Sequence, residues 1–150
     1  MSVISLAQAS TIVDAALRKG REANLAPLTV AVLDAGGHLV AFKREDKSGI
    51  LRFDIAFGKA WGALGMGFGS RTLAGRAAKT PQFFTMLAAA SGGRIISNPG
   101  GVLIRDASGN IVAPGCNRSN ALSCAPPAAI RSVLRWPTPK RRGSASVRPW

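Results

Sequence analysis

The sequence predicts an α+β domain in which helices pack on a mainly antiparallel sheet. Two observations carry that prediction. Apolar residues recur at helical spacing in some segments and at strand spacing in others, in the order α, ββ, α, α, ββ. The second strand pair also repeats the first: Val30-Ala-Val-Leu-Asp34-Ala-Gly-Gly37-His-Leu-Val-Ala41 aligns with Val102-Leu-Ile-Arg-Asp106-Ala-Ser-Gly109-Asn-Ile-Val-Ala113. A chain of 150 residues, 47% hydrophobic, holds one such domain and buries a core without disulfides.

Ser5-Leu-Ala-Gln8 has the form of a capping box, so the first helix starts there. Leu6, Ala9, Ile12, Val13, Ala16 and Leu17 give it one core face, and it closes near Glu22. After Pro27, the run Leu28 to Asp34 is β-branched and apolar, Ala35 to His38 supplies turn residues, and Leu39 to Phe42 resumes the strand. A second helix spans Arg52 to Met66, where Gly58, Gly62 and Gly65 point to close packing against another element. Ser70 to Ala78 reads as a short helix. Thr80-Pro81 reads as an N-cap with Pro at N1, opening a helix over Gln82 to Ala90 that Gly92-Gly93 stops. In each strand pair an Asp able to form an Asx-turn precedes a Gly suited to positive φ.

The charge is uneven. Lys and Arg number 20 against 7 Asp and Glu, a formal +13. Residues 1–114 hold thirteen of the bases and all seven acids, a net +6; residues 115–150 hold seven bases and no acid. Six of the nine prolines fall from Pro114 onward, and helix or strand patterning fades there. The chain therefore divides into a domain over 1–114 and an atypical basic, Pro/Arg-rich tail over 115–150. Lys140, Arg141, Arg142 and Trp136 in the tail suit nonspecific, salt-dependent contact with nucleic acid. Cys116 and Cys124, with one histidine in the chain, match no zinc pattern. No basic segment followed by an apolar one opens the chain, and no apolar run reaches membrane-spanning length, so the expectation is a soluble cytoplasmic protein without membrane contact.

Catalysis finds little support. A Ser-His-Asp triad would have to use His38, yet Asp34 lies on the same hairpin and no Ser stands in a G-x-S-x-G context. No carboxylate pair is singled out, and Gly65-Met-Gly67-Phe-Gly69 lacks the features of a phosphate loop.

VAVLDAGGHLVAF at 30–42, DIAFGKAW at 54–61, SRTLAGRAAKTPQFF at 70–84 and PGGVLIRDASGNIV at 99–112 together resemble the GlcG/HbpS family, which includes the C-terminal domain of PduO-type proteins. The resemblance covers about residues 5–114. It implies an α-β-α sandwich with profilin-like layering around a sheet of about five antiparallel strands, homo-oligomeric assembly, and binding of haem or a related tetrapyrrole. Such relatives continue after the second hairpin with a last strand and an acidic, Ala-rich helix, which residues 115–150 do not provide. That segment reads either as a disordered basic tail or as a frameshifted end replacing the last strand and helix.

Under this resemblance His38, the only histidine, is the candidate iron ligand; its rival reading is a plain turn residue, since Asn110 takes the same place in the second hairpin. Arg44, Lys59 and Arg71 are candidates to meet ligand carboxylates, or are ordinary surface bases. Phe53, Phe57, Trp61, Phe83 and Phe84 offer porphyrin-facing surface, or else core and interface. Pro99, Gly100 and Gly101 either shape a pocket wall or form a simple turn. The function read from the whole is non-enzymatic binding of haem or another small ligand. The alternatives are a ligand-free structural oligomer and nonspecific nucleic-acid binding by the tail.

Overall fold

The computed structural model describes residues 4–106 and 109–116. Apart from Gly115 and Cys116, the proposed tail lies outside the described residues, and with it the frameshift and nucleic-acid readings. The elements are α1 (Leu6–Glu22), β1 (Thr29–Leu33), β2 (Leu39–Arg44), α2 (Arg52–Met66), α3 (Ser70–Lys79), α4 (Pro81–Ala90), β3 (Gly101–Arg105) and β4 (Ile111–Cys116).

Helix α1 begins as its sequence dictates. The Gln8 amide donates to the Ser5 hydroxyl (3.2 Å) and the Ser5 amide to Gln8 Oε1 (2.9 Å), a complete capping box. Thr80 is the N-cap residue of α4 with Pro81 next to it, as the sequence indicates, but its hydroxyl donates back to the Arg76 carbonyl of α3 (3.2 Å) and makes no capping bond to α4. A residue between two abutting helices can serve the end of one or the start of the other, and here both the amide and the hydroxyl of Thr80 donate to the Arg76 carbonyl at the end of α3.

The four described strands form one antiparallel sheet in the order β2-β1-β4-β3. About five strands were expected from the resemblance, with a separate last strand after the second hairpin. Among the described residues Gly115 and Cys116 continue β4, which pairs with β3 on one side and with β1 on the other through Val32↔Gly115 and Ala31↔Cys116. The place of a fifth strand falls outside the described residues.

Alternation along β1 distributes the core to both faces. Val30 and Val32 pack with Ile4, Ala9, Ile12, Val13 and Ala113 beneath α1. Ala31 and Leu33 pack on the other face with Ala56 and Ala60 of α2, flanked by Phe57 and Trp61. The layering is therefore α1, sheet, then α2 with α3 and α4. The glycines of α2 act as their spacing suggests: Gly58 and Gly62 lie against the segment Arg94–Ile96, with a Cβ at Gly58 falling 2.7 Å from the Arg94 carbonyl. Gly65 has open space beside it. Among the described residues no helix is long and apolar enough to cross a membrane.

Candidate functional site

The two hairpin turns lie at one end of the sheet, because β4 enters it antiparallel to β1. Their backbones are nearly superposable in their hydrogen bonds. Asp34 N donates to the His38 carbonyl and Asp106 N to the Asn110 carbonyl, each at 2.9 Å; the Gly37 and Gly109 amides donate to the carbonyls of Asp34 and Asp106 at 3.1 and 3.0 Å. Each aspartate Oδ1 accepts the amide four residues on at 2.9 Å. Gly37 and Gly109 take φ of 83° and 86°, a left-handed backbone that disfavours other residues, and both ladders shift register at the turn. The duplication seen in the sequence is thus a duplication of turn geometry.

The side chains that close the turns differ. Asn110 Nδ2 donates to Asp106 Oδ2 (3.2 Å), while His38 Nδ1 lies 3.1 Å from Asp34 Oδ2. The amides of His38 and Gly36, together with the imidazole, hold the Asp34 carboxyl below its ordinary value, the His38 amide most strongly. An ionised Asp34 is an acceptor only, so a neutral imidazole bonded to it carries its proton on Nδ1 and keeps the lone pair on Nε2. The ring lies over Gly36, where a Cβ would come within 2.9 Å of Nδ1, and its side chain is 81% exposed.

This predicts an acid-side signature. Because the folded carboxyl is depressed, its stabilisation is complete above the unfolded value near 3.8 and is lost as pH falls through the folded one. Asp34→Asn, which keeps an acceptor oxygen but no charge, is expected to melt below the wild type at neutral pH, with the gap narrowing below the ordinary carboxyl value. A gap constant down to strongly acid pH in melting curves would count against it.

Trp61 sits directly behind this turn: a Cβ on Gly37 would stand 3.0 Å from the indole Nε1. Arg94 lies over the indole with its guanidinium carbon 4.6 Å from the ring centroid. Along the same side of β2, Leu39 and Phe42 remain exposed, and Phe42 meets Phe53 edge-on at 5.0 Å, followed by Phe57 at 6.0 Å from Phe53. Those aromatics make an apolar margin that runs from the His38 hairpin to α2.

The remaining candidates separate from this corner. Lys59 is buried and donates to the Pro99 carbonyl (2.9 Å). Ser70 at the start of α3 accepts the Gly101 amide (2.7 Å), and a Cβ at Gly101 would stand 2.4 Å from the Lys59 carbonyl oxygen. Pro99, Gly100 and Gly101 are therefore fastened between α2 and α3. Arg44 is exposed at the far end of β2, opposite Thr29. Arg71 is exposed on α3, and Phe83, half exposed on α4, packs edge-on against buried Phe84. Sequence reasoning missed Arg94 and Ser70. Arg94 follows the glycines that stop α4 and carries no motif; Ser70 was seen only as a helix start, its partner lying at Gly101 in another element. Among the described residues no three His, Cys, Asp or Glu side chains cluster as a metal site.

The fold matches solved structures across most of the chain. The Klebsiella pneumoniae protein ORFY, of the family DUF336, superposes with a TM-score of 0.72 at 22% identity, covering 81% of each chain. The PduOC:heme complex gives 0.67 at 21% identity over 79% of this chain and 84% of that one. A double mutant of Streptomyces reticuli HbpS gives 0.69 at 22% identity over 89% and 88%. At these identities the likeness is one of fold. No curated protein sequence matches the chain. The family model for "Haem degrading protein HbpS-like" matches residues 4–116, all of the described sheet and its helices, and the chain therefore belongs to the HbpS-like family.

Proposed function

We propose that this chain binds haem or a related tetrapyrrole without catalysing a reaction, and that His38 is the iron ligand. One observation carries the reading: the second hairpin closes the same turn with Asn110, whose Nδ2 reproduces the bond of the imidazole Nδ1 to the turn aspartate. Asparagine suffices for the turn. What histidine adds is a second ring nitrogen, Nε2, on an exposed side chain oriented by a carboxylate, as in metal-bound imidazoles generally. The donor set fits a haem iron, and the Leu39, Phe42 and Phe53 margin fits the apolar ring around it. When bound, the group brings its own iron chemistry; the chain contributes the ligand, its orientation and the apolar contact. The family match and the heme-bound fold neighbour support the haem part of this reading.

The test is a haemin titration followed at the Soret band, at salt high enough to screen the basic excess. Wild type is expected to saturate. His38→Asn keeps the turn and should melt with the wild type while binding at least roughly 100-fold more weakly, beyond the loss typical of changes to residues that only orient a metal ligand. Equal binding by the variant, or no saturation by the wild type, overturns the proposal. The reading includes self-association, supported by apolar surface at Leu51, Phe83 and Met86; light scattering that returns a monomer mass removes that part.

A further inference from the structure

We infer that Arg94 is the counter-charge for an acidic arm of the ligand received at His38, so that the site selects tetrapyrroles with free carboxylates over their neutral esters. The inference rests on the tetrapyrrole reading. It starts from where the guanidinium is held. Gly37, in the His38 turn, packs on the indole edge of Trp61, and Arg94 lies on the face of that same indole, so one side chain alone separates the turn from the cation. The Arg94 backbone is pinned because its carbonyl occupies the space that a side chain at Gly58 would need. Its Nε donates to the Ser91 carbonyl (2.9 Å). With Nε committed and the plane resting on an indole, the terminal nitrogens form the fork that binds a carboxylate through two bonds.

Several other bases are committed or distant. Lys19, Arg21 and Lys43 are paired with Glu22, Glu45 and Asp14. The Lys59 ammonium is buried against Pro99. Arg44 stands six residues from His38 along an extended strand, roughly 20 Å at about 3.3 Å per residue. Among the described residues no acid forms an ion pair with Arg94, so its charge is available to a ligand.

The experiment compares haemin with haemin dimethyl ester, titrated at the Soret band into wild type, Arg94→Gln and Arg94→Lys. A charge-assisted pair at an exposed site sits at the low end of 1.5–3 kcal/mol, so wild type should prefer the diacid about tenfold. Arg94→Gln should bring that preference to about unity by weakening the diacid alone, with the His38-dependent Soret position unchanged. Arg94→Lys should restore part of it. Equal weakening of both ligands with a lower melting temperature would mean that Arg94 only braces Trp61, and would overturn the inference. So would a preference that survives in Arg94→Gln. If wild type saturates with neither ligand, the tetrapyrrole reading itself fails, whereas ester binding equal to diacid binding, lost in His38→Asn, spares that reading and sinks the role of Arg94.

Discussion

Gly101→Val is expected to unfold at far lower urea than the wild type. The added Cβ would stand 2.4 Å from the Lys59 carbonyl oxygen and 2.8 Å from its carbon. Both are backbone atoms of α2, so no side chain can rotate away. Overpacking of this kind costs about 3 kcal/mol. Relief requires β3 to move off α2, which separates the Gly101 amide from the buried Ser70 hydroxyl (2.7 Å) and strips the Lys59 ammonium of the Pro99 carbonyl. A buried donor left unpaired adds roughly 1–3 kcal/mol. The sum, about 4–6 kcal/mol, reaches the low end of the 5–15 kcal/mol total stability of an ordinary domain. Urea unfolding measures it directly, and a midpoint matching the wild type would refute the close approach. Ser70→Ala removes only the hydrogen bond and should lose only the second contribution.

The second large effect is at the end of α1. Leu28 is fully buried, and its Cδ1 occupies the space that a side chain at Gly20 would fill, 2.2 Å from a Cβ built there. Leu28→Ala should therefore cost about 3 kcal/mol, in the range for a buried leucine whose surroundings collapse only in part. Gly20→Ala alone meets a clash that offsets the roughly 1 kcal/mol a helix gains from alanine over glycine. Together the substitutions relieve each other, since the new methyl enters the volume that the leucine vacates. The double variant should be more stable than Leu28→Ala. Additivity within about 0.5 kcal/mol in a denaturant double-mutant cycle would show that the two sites do not share this space.

What the sequence makes legible is whatever is local. The Ser5 and Gln8 capping box, the Arg52–Met66 helix and the paired Asp-x-x-Gly turns each depend on residues within a few positions of one another, and the structure contains all of them. Thr80 was legible as the N-cap residue of α4, but not that its hydroxyl bonds the helix before it rather than the one after, a choice that spacing does not encode. That β4 borders both β1 and β3 is a fact of tertiary placement, invisible in its own residues. At the site, His38 was legible because it is unique and sits in a recognisable turn. Arg94 was not, because its meaning lies in an indole presented by α2.

The central position of β4 also bears on how the protein comes to be folded. On a ribosome, β1 and β2 can pair as soon as both have emerged, but the other edge of β1 waits for Gly115 and Cys116, with α2, α3, α4 and β3 made in between. For most of synthesis the nascent chain therefore carries an open edge on the strand that is to lie inside the sheet. Pairings so distant in sequence are slow to form, and their delay exposes a chain to intermolecular strand pairing. Yield in the cell should accordingly respond to chaperone supply and growth temperature more than the small size of the domain would suggest.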